Sequence, residues 1–261
     1  MNIEHISVSR KQVWDQCKCL YKYKYHLKLN SPEPEPFYFV YGKVIHKIAE
    51  EYVSRKGERT LSEVTLDVLE QRIPIERGEN EVFAPKIPEE YRRRMPEHLR
   101  SIKYITEQMG NEGYLEFPFY YDLEPPNGLF IKGFIDRLIE RDGNWFILDY
   151  KTTKRGRWRK DRQSILHDLQ LRMYARIVQK KFDVSADKIR CALYYLEGGN
   201  LIAAQYTQDA LDGAEAELLQ AYKEIQVADP NKVIGNVADH CNRCDYRSIC
   251  PFFNRSTPYE F

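Results

Sequence analysis

The sequence predicts an α/β fold of the α+β kind, with a core ordered helix, three strands, helix, strand (αβββαβ). Residues 41–56 carry apolar side chains at helical spacing around Gly42, His46 and Glu50. Residues 114–122 and 133–152 read as three meandering strands, separated by the turn-formers Pro125-Pro126-Asn127-Gly128 and Arg141-Asp142-Gly143-Asn144. The helical period returns over 168–182, and an apolar strand over 188–197 has its hairpin mate over 201–206 across Gly198-Gly199-Asn200.

The hairpin over 133–152 holds the first sign of chemistry. Its first strand carries Asp136 and its second ends in Asp149-Tyr150-Lys151. Positions two apart share a strand face, so Asp149 and Lys151 point the same way. Two carboxylates and a lysine on mostly apolar strands are costly unless they pair or bind a metal.

The remaining elements are taken in order. Residues 7–29 read as a helix that Ser7 or Ser9 can cap, with Trp14, Cys17, Leu20, Tyr21 and Tyr25 near helical spacing and a lysine-rich surface. Ser31-Pro-Glu-Pro-Glu-Pro36 follows as a stiff linker. In the helix over 41–56, His46 and Glu50 are four apart and share a face. Residues 60–72 and roughly 88–109 are polar helical stretches without evident chemistry, which reads as an insertion over about 58–110. Pro118 marks its strand as an edge or a bulge. Lys154, Arg155, Arg157, Trp158, Arg159 and Lys160 form a basic loop around one aromatic, a mixture suited to phosphates and a stacked base. Gln170 and Tyr174 are again four apart on one helix face, and a last helix spans 209–227.

Six cysteines are present, three of them in Cys241-Asn-Arg-Cys244-Asp-Tyr-Arg-Ser-Ile-Cys250. Such a cluster reads as a metal or iron–sulfur site, while Cys191, in an apolar strand, reads as a core thiol. Zinc and a cubane cluster both take four thiolates, so the fourth must come from Cys17 or Cys19.

Lys+Arg and Asp+Glu number 40 and 39, so net charge indicates neither a nucleic-acid nor a membrane partner. No apolar run is long enough for a membrane helix, and Lys11 and Asp15 interrupt any signal-peptide core, which predicts an intracellular, cytoplasmic protein with reduced thiols.

Taken together, Gly42-x3-His46-x3-Glu50, Gly133-Phe-Ile-Asp136-Arg137, Asp149-Tyr-Lys151-Thr152 and Gln170-Leu-x2-Tyr174 resemble the PD-(D/E)XK nuclease superfamily in its RecB-like branch. Cys17 with Cys241, Cys244 and Cys250 resembles the cluster-bearing subset, which includes AddB-type nuclease domains and the iron–sulfur nucleases of CRISPR adaptation. Cys17 is the matching position because an aromatic, Tyr21, follows four residues later; Cys19 and Ile135 depart from the pattern.

The resemblance implies a restriction-endonuclease-like core with a mixed central sheet, formed by 42–56 and 113–206 within a single nuclease domain over 1–261. A clasp holding a [4Fe-4S] cluster, rather than zinc, would join 7–29 to 241–251. It also implies Mg²⁺ or Mn²⁺ held by His46, Asp136, Asp149 and the Tyr150 carbonyl, with Glu50 buttressing His46. Lys151 would orient or deprotonate the attacking water, and Gln170 and Tyr174 would position the phosphate or the lysine. The implied activity is DNA hydrolysis, as an exonuclease on single-stranded or end-bearing DNA. No GxxxxGK[ST] loop is present, so any unwinding would come from a helicase or recombination partner. Competing expectations are an idle DNA-end scaffold and a zinc-stabilised RNA-processing nuclease.

Overall fold

The structure is a computed structural model that describes residues 1, 3, 5–55, 57–76, 81–123, 129–156 and 158–253. The turn expected at 125–128 and Arg157 of the basic loop lie outside the described residues. In chain order the helices are α1 (Val8–Gln16), α2 (Lys18–Tyr21), α3 (Phe37–Ser54), α4 (Leu61–Leu69), α5 (Glu89–Met109), α6 (Leu169–Phe182) and α7 (Gln208–Val227). The strands are β1 (Tyr114–Asp122), β2 (Phe130–Arg141), β3 (Asn144–Lys151), β4 (Ile189–Tyr195) and β5 (Asn200–Ala204). Two compact units alternate along the chain: Met1–Glu35, Tyr120–Gly133 and Asp212–Phe261 form one, and Pro36–Phe119 with Phe134–Leu211 form the other.

In the first unit, Ser7 caps α1 by accepting the Arg10 N–H at 3.1 Å. The helix then stops at Cys17, whose backbone is extended (φ −162°, ψ 112°), and restarts as α2 before a π-helical turn over Lys22–His26. The continuous helix expected over 7–29 is therefore broken, because an extended residue cannot carry the i→i−4 ladder onward. The break leaves both Cys17 and Cys19 buried. Chain segments far apart in sequence meet in this unit: Trp14 Nε1 donates to Glu224 at 3.3 Å, Asn236 to the Gln16 carbonyl at 3.1 Å, and the Tyr246 hydroxyl to the Leu29 carbonyl at 2.8 Å.

In the second unit, α3 starts four residues earlier than expected because Pro36 (φ −56°, ψ 129°) occupies its N-cap. A capping box starts α4: Thr60 Oγ1 accepts the Glu63 N–H at 3.2 Å, and the Glu63 carboxylate accepts the Thr60 N–H at 2.7 Å. The sheet order is β1-β2-β3-β4-β5. β2 and β3 are antiparallel, β3 and β4 parallel, and β4 and β5 antiparallel, which makes the sheet mixed as expected. Asp142 (φ 51°) and Gly143 (φ 72°) close the β2–β3 hairpin with the left-handed pair that a two-residue turn requires. β1, which carries Pro118, lies at the sheet edge, the position where a strand tolerates proline.

One core fixes this unit. Val44, Ile45 and Ile48 of α3, Val64 and Val68 of α4, and Ile102 of α5 pack with Leu148, Tyr150 and Tyr194 of the sheet. Each fully buried aliphatic contributes about 1.5–3 kcal/mol. The consequence for function is positional: α3 is pinned to β3, so His46 is set against the Asp136-bearing and Asp149-bearing hairpin. No helix among the described residues is long and apolar enough to cross a membrane.

Candidate active site

Asp136 is the hub of the site. Its Oδ2 accepts the Tyr150 N–H at 2.8 Å and lies 3.4 Å from His46 Nδ1. The other ring nitrogen of His46 meets the Tyr150 carbonyl oxygen at 3.0 Å. His46, Asp136 and the Tyr150 carbonyl are thus brought together as the sequence predicts. Asp149, also buried, lies opposite Asp136 across the hairpin, one residue on from the Arg137–Leu148 pair, and its carboxylate pairs with Lys151 Nζ at 2.5 Å. Lys151 donates onward to Gln170 Oε1 at 3.4 Å, and Gln170 Nε2 donates to the Tyr174 hydroxyl at 2.8 Å. The i,i+4 pair on α6 is therefore continuous with the Asp149–Lys151 pair. Tyr174 is fixed from behind by an edge-to-face contact with Phe119, ring centroids 5.8 Å apart.

Glu116 completes the centre and was not among the expected residues. It sits in β1 with φ +44°, an unusual conformation for a non-glycine residue, and ligand atoms of His46, Glu116 and Asp136 lie within 4.8 Å of one another. A lone acid between Leu115 and Phe117, two residues before Pro118, was the available signal: a charged side chain in an apolar strand at a predicted bulge.

Three of the expected assignments are corrected. Glu50 does not buttress His46, whose ring nitrogens face Asp136 and Tyr150; Lys47 takes the Glu50 carboxylate at 2.7 Å. Arg159 is half-buried, donates to the carbonyls of Thr153 (2.9 Å) and Glu197 (2.7 Å), and covers the Tyr195 ring. Lys160 pairs with Asp168 at 2.6 Å. These two cations hold the loop to the fold rather than facing a phosphate. Lys154, Arg155 and Trp158 stay exposed.

The electrostatics follow from crowding three acids with one lysine and one histidine. Burial disfavours the His46 imidazolium, but Asp136 overrides it and lifts the pKa to about 9. Burial, reinforced by Asp136, pushes Glu116 up to about 7. Burial likewise raises Asp149 to about 6 against the pull of Lys151. Asp136 is held below the usual carboxylate range, because the His46 and Lys151 charges outweigh its desolvation. Lys151 is desolvated too, yet Asp149 and Asp136 keep it charged. The centre recruits protons to balance its acids, and its donors are carboxylate oxygens plus one imidazole. That set fits a hard divalent cation, with the nitrogen admitting Mn²⁺. It opens into a cavity of about 910 Å³ lined by His46, Glu116, Lys151 and Thr152, with Tyr38, Phe39 and Phe134 on its walls.

In the first unit Cys17, Cys19, Cys241, Cys244 and Cys250 line a second, smaller cavity with Tyr23, His240, Tyr246 and Phe252. All are free thiols. Charge on Cys17 acts on Cys19, Cys241 and Cys244, whereas Cys19 interacts chiefly with Cys250 and Tyr23. Among the described residues, no three thiol sulfurs lie within 4.8 Å of one another. Cys191 is alone and buried, its Sγ 3.7 Å from the Leu171 carbonyl.

A mixed sheet with a helix-borne histidine, paired acids and a lysine at its centre has the restriction-endonuclease-like architecture. The family comparison agrees: the model of the PD-(D/E)XK nuclease superfamily matches residues 5–251, and the chain belongs to that superfamily. The chain is 30% identical over 145 residues to the Gene 69 protein of Mycobacterium phage L5, over 53% of this chain and 44% of that protein. It thus spans less than half the length of that relative. Among solved structures, that of SSO0001 aligns over 94% of this chain and 97% of its own, at 17% identity and a TM-score of 0.39.

Proposed function

We propose that the protein is a metal-dependent deoxyribonuclease of the RecB-like, cluster-bearing branch, acting as an exonuclease on single-stranded or end-bearing DNA. The observation that carries this reading is the adjacency of the His46–Glu116–Asp136 trio to the Asp149–Lys151–Gln170–Tyr174 chain. His46, Glu116, Asp136, Asp149 and the Tyr150 carbonyl would hold Mg²⁺ or Mn²⁺. When bound, the ion supplies charge neutralisation at the phosphoryl group and acidifies a water.

The chain's own residues divide the remaining work. Lys151 keeps its proton, so its ammonium offsets phosphate charge and orients the water. Asp149, raised to about 6, is ionised at neutral pH and anchors that ammonium. Gln170 fixes the lysine, and Tyr174, whose hydroxyl burial keeps protonated, fixes Gln170. The exposed Lys154, Arg155 and Trp158 would meet the DNA backbone and a base.

For the cluster, Cys17, Cys241, Cys244 and Cys250 are the proposed ligands, with Cys19 beside them. Both units are taken as one nuclease domain over 1–261. The test incubates end-labelled single-stranded DNA with the protein and Mn²⁺, beside Lys151→Ala and an RNA of the same sequence. Release of labelled products that depends on metal, on Lys151 and on deoxyribose is expected. Equal cleavage by the variant, or preference for RNA, overturns the reading.

A further inference from the structure

The metal-facing cavity has walls that its chemistry does not require. Phe39 and Phe134, 53% and 57% exposed, stand on it with Tyr38, whose ring centroid is 4.4 Å from that of Phe39. Their placement follows the site residues. Phe39 precedes His46 by seven positions on α3, two helical turns along the same face. Phe134 precedes Asp136 by two on β2, so both point to the same side of the strand. Large apolar rings left in water beside a polar centre are unfavourable unless something covers them.

What covers them must also bring a phosphodiester to the trio, and chemistry narrows the choice. A duplex keeps its bases stacked on one another and offers the cavity only phosphate and sugar. An unpaired strand carries a base on each side of every phosphate, each with an open π-face, and aromatic side chains next to a charged groove are how such bases are held. We infer that Phe39 and Phe134, with Tyr38, form a stacking wall for unpaired bases flanking the scissile phosphate, so that this centre takes single-stranded nucleic acid. The inference rests on the nuclease reading and adds the residues that select the strand state.

The test measures binding apart from cleavage. Fluorescence anisotropy of a labelled deoxythymidine strand of about fifteen nucleotides, with calcium in place of manganese, is followed for wild type, Phe39→Leu and Phe134→Leu. Leucine keeps the apolar bulk, so the fold should hold, as a thermal melt will check, while the flat ring is lost. Each variant is expected to bind roughly five- to thirty-fold more weakly, the loss of about 1–2 kcal/mol of stacking. Binding of an abasic strand of equal length, and of a blunt duplex, should change less than twofold. Unchanged binding of the base-bearing strand, or an equal loss on the abasic one, overturns the inference. Ring-dependent binding by a wild type that cleaves nothing would preserve it and defeat the nuclease reading; cleavage with ring-independent binding would do the reverse.

Discussion

Lys151 sits where two acids and an amide converge, and the energetics of that position predict what its loss does. Its ammonium is the positive charge paired directly with Asp149, so Lys151→Ala leaves a buried carboxylate without its partner. The expected result is a loss of cleavage of at least about 100-fold, with Mn²⁺ affinity, read by calorimetry, changed only a few-fold. Protons on the trio make a second prediction. In the metal-free protein at pH 6, His46 (about 9) and Glu116 (about 7) both hold a proton that a cation must displace. At pH 8 Glu116 has lost its proton. Mn²⁺ affinity should therefore rise steeply from pH 6 to pH 8, about 100-fold from His46 and about tenfold from Glu116, and Glu116→Gln should both weaken binding and remove the Glu116 share of that slope. A flat wild-type profile would remove both His46 and Glu116 from the ligand set.

A histidine away from the site gives a stability prediction of opposite sign to His46. His98 is fully buried, its Nδ1 2.9 Å from the Tyr41 hydroxyl, and burial drops its pKa to about 4. The unfolded chain binds this proton from about pH 6.5 downward, the folded chain only near 4. Stability is therefore lost as pH falls through that window, by up to about 3 kcal/mol. Urea unfolding between pH 7 and 4.5 should show it, and His98→Phe should remove most of the slope. His46, with its raised value, instead contributes fully below about pH 6.5 and loses that contribution as pH climbs through about 9.

At the scale of elements, α6 shows how a start signal serves the site. Asp168 accepts the Leu171 N–H at 2.9 Å and pairs with Lys160, so it both caps the helix and holds the loop leading into it. Gln170 lies in the turn so fixed. Asp168→Ala should cost about 1–2 kcal/mol in urea unfolding and lower kcat more than it raises KM, while Asp168→Asn, which keeps a cap, should recover much of the stability. Loss of stability with unchanged kcat would separate the cap from the site. The strands and α6 were legible in the sequence because their signals are local: period two, Asp142-Gly143, and helical spacing capped at Asp168. What was not legible depended on distant partners. Nothing within the loop says that Arg159 will spend its donors on the carbonyls of Thr153 and Glu197, or that Lys160 will meet Asp168. The break at Cys17 lies in a lysine- and tyrosine-rich stretch whose composition is uniformly helical, and Glu116 carries no spacing that links it to His46.

At the scale of the molecule, the two ends of the first unit are tied by polar contacts spread along both segments, the Met1 ammonium to the carbonyls of Ile225, Gln226 and Ala228 and Lys11 to Glu217 among them. Trp14–Glu224, Asn236–Gln16 and Tyr246–Leu29 are single hydrogen bonds, each contributing about 0.5–1.5 kcal/mol net. The thiols of Cys17, Cys241, Cys244 and Cys250 surround a cavity among these contacts, and short irregular turns around the tail cysteines bury few side chains of their own. A group that binds all four sulfurs only when the segments are together adds its binding free energy to folding. Protein purified without oxygen should therefore be brown, absorbing near about 400 nm, and should lose both colour and thermal stability when the iron is chelated. Cys17 and Cys19 separate in this assay. Cys17 interacts with Cys19, Cys241 and Cys244, and Cys19 with Cys17, Cys250 and Tyr23, so Cys17 is the one of the two that faces both members of the Cys241–Cys244 pair. Cys17→Ser should abolish the absorbance and lower Tm by several degrees, whereas Cys19→Ser should keep the colour and shift Tm less. The reverse order would make Cys19 the fourth ligand, and colourless protein carrying stoichiometric zinc would replace the cluster with a single ion whose binding has to draw the thiols closer than they now stand.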